Sequence, residues 1–176
     1  MARLITGSED VTKYSEARKV TISIGGASEE ANAYSVAGSP TFEEATETER
    51  RAFEVTNKMR VKNGLTQLSW DPVLCRMARR HSEDMARLGF FSHLTPEGLR
   101  LRDRARAVGI ERYRVLGENI AYNQGHDDPG AFAVERWMVS SGHRANILSR
   151  EFRGAAIGSF VGADGTVYLS QIFILR

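Results

Sequence analysis

The sequence predicts an α+β domain in which a small, largely antiparallel sheet of three strands is covered by helices. Two observations predict this class. Four helix-like segments are interrupted by a single β-rich run at residues 113–121, and two further β-rich runs close the chain. With 176 residues the chain can bury one sizeable core, and no apolar run approaches the ~18 residues of a membrane helix.

The first helix is expected to begin after Thr41, which would act as its N-cap. Glu43 and Glu44 follow in the first turn, where negative charge suits the helix dipole. Residues 63–64 (Asn-Gly) should end this helix, because glycine readily adopts the positive φ that is common at helix C-termini.

The second helix has the clearest periodicity in the sequence. Asp71 and Pro72 suit its N-cap and its first helical position, and Gly89 suits its end. Six side chains recur at the spacing of one helix face: Leu74, Met77, Ala78, His81, Met85 and Leu88. We therefore expect these side chains to lie on the buried face.

The remaining elements follow from turn residues and β-rich composition. A short third helix is expected at residues 98–108, and a fourth helix from residue 129, after an Asp-Asp-Pro sequence. Strands are expected at residues 153–161 and 166–174, joined by a hairpin turn at residues 163–165.

Residues 1–40 differ in composition from the proposed domain at residues 41–176. Alternating apolar residues at positions 20–24 and 33–37 predict short strands or an extended arm, which could mediate self-association. Residues 1–11 are polar and lack the apolar segment of a secretory signal. The sequence therefore predicts one folded domain preceded by an N-terminal extension.

Charge and cysteine content limit the functional classes. Lys and Arg number 24 and Asp and Glu number 22, and the resulting net charge of +2 does not predict a nucleic-acid partner. Cys75 is the only cysteine, so no intrachain disulfide can form. Its apolar neighbours in the second helix predict a buried thiol.

The four histidines are expected to differ in role. His81 lies on the apolar face of the second helix and is expected in the core. His126 lies in a polar loop and is expected at the surface. His93 and His143 each follow a helix in a short loop, which is where binding side chains concentrate.

Glu118 interrupts an otherwise apolar strand, and a buried carboxylate needs a partner. It either has a structural role, bonded to main chain or paired with Arg144, or belongs to a functional site. His93, Glu118 and His143 are about 25 residues apart, unlike the paired histidines of a zinc-protease helix. A dispersed set of this kind can still converge in space and bind zinc with an open coordination position.

Five segments occur in an order that resembles one known family. They are residues 81–86, 90–93, 117–121, 137–148 and 158–173. Together they resemble the bacterial branch of the CAP superfamily, which comprises cysteine-rich secretory, antigen 5 and pathogenesis-related proteins. The resemblance implies an α-β-α sandwich with the three-stranded sheet in the middle, and an extracellular or cell-envelope location.

The resemblance also implies a cleft lined by two histidines and two acidic residues. His93 and His143 would be these histidines and also the metal ligands, and Glu118 would be one of the acids. The usual position of the second acid is occupied by Ser140, so Glu135 on the same helix is the candidate substitute.

Three functional hypotheses follow. The first is a non-catalytic module that binds a small apolar or cell-envelope ligand, together with Zn²⁺ or another divalent cation. The second is a metal-dependent hydrolase of peptide or peptidoglycan, with Glu118 as the general base. The third is an interaction module with a vestigial cleft that assembles through residues 1–40. In each, Asn119 lies beside the cleft and is expected to brace its loops by bonding main chain.

Overall fold

The computed structural model describes residues 18–21 and 39–176. These residues form five strands and five helices, in the order β1 (Arg18–Thr21), α1 (Glu47–Lys62), β2 (Ser69–Trp70), α2 (Pro72–Leu88), α3 (Leu101–Ala107), β3 (Val115–Asn123), α4 (Pro129–Val139), α5 (Ser141–Ile147), β4 (Gly154–Val161) and β5 (Val167–Leu175). Strand β1 overlaps the predicted stretch at residues 20–24, whereas the stretch predicted at 33–37 lies outside the described residues. The predicted α+β class is confirmed.

The sheet has the strand order β1-β3-β5-β4-β2. Its antiparallel centre, formed by β3, β5 and β4, corresponds to the three predicted strands. The predicted number of strands is wrong, because two short strands extend the edges. Strand β2 pairs in parallel with β4, and β1 pairs antiparallel with the first half of β3. Strands of two and four residues are too short to show a clear period of two in the sequence.

Helices cover both faces of the sheet, which confirms the α-β-α sandwich that the resemblance implies. Helices α1, α4 and α5 pack on one face, and α2 and α3 pack on the other. Alternate residues of β5 face opposite layers: Leu169 and Phe173 contact the first, and Ile172 and Ile174 contact the second. Cys75 is buried in the second layer, as predicted, and burial raises the pKa of its thiol.

Helix α1 begins later than predicted, because Thr46 rather than Thr41 is its N-cap. The Thr46 hydroxyl accepts from the main-chain N–H of Glu49 (3.2 Å), and the Glu49 carboxylate accepts from the N–H of Thr46 (2.8 Å). This reciprocal pair is a capping box. Thr41 instead opens a turn, in which its N–H donates to the Glu44 carboxylate (2.8 Å). Both threonines precede a glutamate by three residues, but only Thr46 is followed directly by the apolar periodicity of the helix.

Helix α2 begins and ends where predicted. The Asp71 carboxylate accepts from two main-chain N–H groups of the first turn, at 3.0 and 3.1 Å, and Gly89 ends the helix with a φ of 68°. A Cβ atom on Gly158 of β4 would collide with the main chain of Arg79, so α2 lies unusually close to the sheet. This contact sets the distance between the middle of α2 and the sheet.

Two other helices differ from the prediction. Helix α3 begins after residue 98, because Gly98, with a φ of 85°, belongs to the preceding turn. Helix α5 occupies a segment predicted as a loop, and His143 therefore lies on a helix. Ser140 is both the C-cap residue of α4 and the N-cap residue of α5, so the second helix follows the first directly. The closing strands and their hairpin turn agree closely with the prediction.

Candidate functional site

The buried carboxylate of Glu118 lies between a histidine and an arginine. Strand β3 holds Glu118 completely buried. The Nδ1 atom of His93 lies 2.7 Å from Oε2 of Glu118, and Nη2 of Arg104 lies 3.0 Å from the same oxygen and 2.9 Å from Oε1. Arg104 also donates from Nη2 to the main-chain carbonyl of His93 (3.2 Å), so it positions both members of the histidine–carboxylate pair.

The partner of Glu118 is thus Arg104 from α3 and not Arg144, which is exposed on α5. The sequence contained a signal for this role that was missed. Arg104 follows Leu101 by three residues and precedes Ala105, and all three lie on the buried face of α3. An arginine on the apolar face of a helix needs an internal acceptor, and Glu118 is the acceptor that the fold supplies.

Opposing effects act on the pKa of Glu118. Burial raises it, but the charge of Arg104 lowers it, as do the charges of His81 and His93 and the hydrogen bond from His93. The net result is a pKa of about 2. Glu118 is therefore ionised at neutral pH and can only accept hydrogen bonds.

The charge on Glu118 determines the tautomer of His93. Because the carboxylate is an acceptor, Nδ1 of His93 carries the proton that is shared with Oε2. The opposite ring nitrogen, Nε2, is buried and has no hydrogen-bond partner among the described residues. A neutral His93 therefore directs an unshared electron pair from Nε2. This is the arrangement by which a carboxylate orients a metal-binding histidine.

His143 is the second histidine of the site. It is 1% exposed on α5, and neither of its ring nitrogens has a hydrogen-bond partner in the described part of the chain. Burial lowers the pKa of His143 to about 4, and the charge of nearby His93 acts in the same direction. His143 is thus neutral at physiological pH, the form in which an imidazole binds metal ions. We call His93, Arg104, Glu118 and His143 the histidine–carboxylate cluster.

A buried network of amide side chains braces this cluster. Asn119 donates from Nδ2 to the carbonyl of His143 (3.2 Å) and to Oε1 of Gln171 (2.9 Å). Asn146 donates from Nδ2 to the carbonyl of Glu118 (3.1 Å) and to Oδ1 of Asn119 (2.9 Å). The predicted bracing role of Asn119 agrees with these contacts, and the network joins the main chains of β3 and α5.

The other candidate residues lie differently. Glu135 is exposed on α4 and makes no hydrogen bond or ion pair with the cluster. Ser140 is half-buried at the junction of α4 and α5, where its carbonyl accepts from the N–H of Arg144 (2.9 Å). Among residues 18–21 and 39–176, no three His, Cys, Asp or Glu side chains are close enough to form a metal site by themselves. The structure thus provides two imidazoles and no second acid.

His81 was predicted in the core, and it is completely buried. Its Nε2 donates to the carbonyl of Ser92 (3.0 Å), which anchors the residue next to His93. Burial lowers the pKa of His81 to about 4. His126 is exposed, as predicted, and stacks on Phe132 with a centroid distance of 3.6 Å.

Comparison with known proteins identifies the family. Residues 53–173 match the sequence profile of the cysteine-rich secretory protein family, CAP, and this region is more than half of the chain. The chain belongs to the CAP family. The resemblance inferred from the five sequence segments is therefore confirmed.

Bacterial proteins are among the relatives of this CAP domain. The uncharacterized membrane protein YlbC of Bacillus subtilis (strain 168) is 37% identical over 131 residues, which are 74% of this chain and 35% of YlbC. The uncharacterized protein YkwD of the same organism is 35% identical over 123 residues, which are 70% of this chain and 46% of YkwD. The chain thus spans less than half the length of either relative.

Solved structures agree with this assignment. The crystal structure of an extracellular protein containing an SCP domain from Bacillus anthracis str. Ames has a TM-score of 0.63 and 31% identity to this chain. The match covers 73% of this chain and 40% of the B. anthracis chain. In the part of the CAP chain that the structure describes, no helix is both long enough and apolar enough to cross a membrane.

Proposed function

We propose that this CAP domain is a non-catalytic binding module that holds a divalent cation between His93 and His143 and binds a small apolar or cell-envelope ligand beside it. One observation carries this proposal. Three ring nitrogens, Nε2 of His93 and both nitrogens of His143, are buried without a hydrogen-bond partner among the described residues. Buried polar atoms normally have partners, so their absence here indicates a bound species.

The residues present fit a divalent cation such as Zn²⁺. His143 is neutral at physiological pH, and Glu118 orients His93 so that Nε2 is the ring nitrogen available to a ligand. Two protein ligands are fewer than the four of a structural zinc site. We therefore expect weak, exchangeable binding, with water or an oxygen atom of the ligand in the remaining positions. The cation would supply positive charge to an electron-rich group of that ligand.

Exposed apolar side chains close in sequence to the two histidines favour an amphipathic ligand. Leu94 and Leu99 are 39% and 45% exposed in the segment that follows His93, and Val139 is 71% exposed directly before Ser140. Few large apolar side chains are exposed in the described residues, so their presence in the two segments that carry the histidines supports an apolar contact surface. The extracellular B. anthracis relative supports an encounter with cell-envelope molecules.

The cluster gives less support to hydrolysis. A general base works best with a pKa near the operating pH. Glu118 has a pKa of about 2 and is already engaged by Arg104 and His93, so it is a poor proton acceptor. We interpret Glu118 as a positioning residue for His93.

The interaction-module hypothesis also has less support. Strand β1 pairs with β3 of the same chain, with Arg18 opposite Glu118 and Thr21 opposite Val115. This strand of the N-terminal extension thus has an intramolecular partner. Self-association through residues 1–40 stays a prediction, as does the domain boundary after residue 40.

Calorimetric titration with Zn²⁺ tests the proposal. The wild-type chain should bind one equivalent, and His93→Ala and His143→Ala should each abolish measurable binding. His126→Ala is the matched control, because His126 is exposed on a distant loop, and it should bind as the wild type does. Binding that survives both cluster substitutions would place the cation elsewhere and overturn the proposal.

A further inference from the structure

A cavity lies apart from the histidine–carboxylate cluster. It has a volume of about 310 Å³ and is formed where the loop after α1 meets the loop before β4. Its lining residues are Arg60, Gly64, Leu65, Thr66, Arg150 and Arg153. Among the residues that the structure describes, this lining contains three arginines and no acidic residue, and it shares no residue with the cluster. We call it the arginine pocket.

Arg60 forms the fixed inner wall of the arginine pocket. It is 1% exposed, and it donates from Nε to the carbonyl of Thr66 (2.9 Å) and from Nη1 to the carbonyls of Ile147 (2.7 Å) and Ser149 (2.9 Å). These main-chain carbonyls accept hydrogen bonds from the Arg60 guanidinium, but they carry no negative charge that would neutralise it. Burial and the charge of Arg153 lower the pKa of Arg60, which shows that its charge is poorly compensated.

Arg150 and Arg153 are exposed at the pocket's outer side. Arg153 donates from Nη1 to the carbonyls of Arg150 (2.7 Å) and Phe152 (3.1 Å). These bonds hold the loop around the Arg153 guanidinium and again involve uncharged acceptors. The pocket thus combines one buried and two solvent-accessible positive charges on a preorganised loop.

We propose that the arginine pocket binds a phosphate group. The planar guanidinium group presents paired N–H donors that match two oxygen atoms of a phosphate, and charge-assisted hydrogen bonds of this kind are the strong ones. A cavity of about 310 Å³ is at the lower end of the size range of small-molecule sites, so the phosphate can carry an attached organic group. The ligand is therefore inorganic phosphate, a small phosphate ester or the phosphate head group of a lipid.

The test is titration of the full chain at low ionic strength, with two probes that separate these sources. One arm uses inorganic phosphate and calorimetry. The other uses phosphatidylcholine vesicles with and without phosphatidic acid, and measures co-sedimentation. The pocket variant is Arg150→Gln/Arg153→Gln, and the control is Arg112→Gln/Arg114→Gln, which removes the same charge from two exposed arginines outside the pocket.

We expect saturable binding of at least one probe, weakened at least about tenfold in the pocket variant and unchanged in the control. Arg153 braces its loop, so the double substitution could affect folding as well as binding. Arg150→Gln alone is therefore tested in parallel, because the side chain of Arg150 is exposed and can be replaced without loss of fold. This single substitution should also weaken binding. Binding of inorganic phosphate identifies a free-anion or ester site, and binding of vesicles alone identifies a lipid source. Absence of binding in both arms, or equal weakening in pocket and control variants, would overturn the proposal.

Discussion

Nδ1 of His93 lies 2.7 Å from Oε2 of Glu118, and Nη2 of Arg104 lies 3.0 Å from the same oxygen and 2.9 Å from Oε1. This relationship assigns a different role to each residue. Arg104 keeps Glu118 ionised, Glu118 keeps the His93 proton on Nδ1, and Nε2 of His93 is left with its electron pair. His143, held by Asn119, supplies a second imidazole, which is neutral at physiological pH.

Replacing Glu118 by glutamine should weaken both cation binding and stability. The amide removes the charge that orients His93 and leaves the buried guanidinium of Arg104 without its counter-ion. We expect Zn²⁺ affinity to fall by about 10- to 100-fold and the free energy of unfolding to fall by about 3 kcal/mol. Calorimetry and urea denaturation measure these effects. Glu135→Gln, at an exposed position on α4, is the control and should change neither.

Stability should depend on pH through His81 and His143. Each has a folded-state pKa of about 4 against an ordinary value of 6.5. Between these values the unfolded chain binds protons that the folded chain does not, so the free energy of unfolding should decrease as the pH falls from about 6.5 to about 4. Urea denaturation at several pH values, in the presence of a chelator, measures the slope of the free energy of unfolding against pH. His143→Gln should reduce this slope by about one proton. If the slope in His143→Gln equals that of the wild type, the lowered pKa of His143 in the folded chain is contradicted.

Removing the Asn119 amide should loosen His143. Asn119→Ala leaves the His143 carbonyl and the Gln171 side chain without a donor, and we expect a loss of about 2 kcal/mol in the free energy of unfolding. Zn²⁺ affinity should fall as well. Asn123→Ala is a matched control on the same strand, because Asn123 bonds the carbonyl of Pro129 instead. It should lower stability without changing the affinity; an equal loss of affinity in both variants would contradict the bracing role.

A side chain at Gly158 should separate α2 from the sheet. The new Cβ in Gly158→Ala would collide with the main chain of Ala78 and Arg79, which cannot move without shifting the helix. We expect a loss of about 3 kcal/mol in thermal or urea denaturation. In Gly162→Ala the nearest atom is a side-chain oxygen of Asp164 at 3.0 Å and not main chain, so a small shift relieves the contact and the loss should be much smaller. Comparable losses would show that the close contact of α2 is not required.

The elements that the sequence predicted correctly have local signals. Asp71, Pro72 and Gly89 mark both ends of α2 by backbone chemistry that depends only on neighbouring residues, and the structure agrees. Thr41 was predicted as the N-cap in place of Thr46, because each threonine precedes a glutamate by three residues and the local sequence does not distinguish the two pairs. The choice between them depends on tertiary contacts, including the two hydrogen bonds from Arg79 to the Glu49 carboxylate.

The candidate site was predictable only in part. His93, Glu118 and His143 could be singled out by motif. The position of Arg104 on an apolar helix face indicates that it needs an internal acceptor, but only the tertiary fold shows that this acceptor is Glu118, 14 residues later in the chain. The second acid expected at Ser140 or Glu135 does not join the cluster. The direction of a surface side chain such as Glu135 depends on how α4 rotates against the sheet, which sequence spacing alone does not determine.

The most direct test of the central claim is nitrogen NMR of the histidine rings, recorded on ¹⁵N-labelled chain before and after addition of Zn²⁺. Without the cation at neutral pH, Nδ1 of His93 should carry a proton, and His143 should be neutral. With Zn²⁺, the signals of His93 Nε2 and one His143 nitrogen should shift together, while those of His81 and His126 stay in place. A protonated His143, or a shift confined to His126, would contradict a cation site in the histidine–carboxylate cluster.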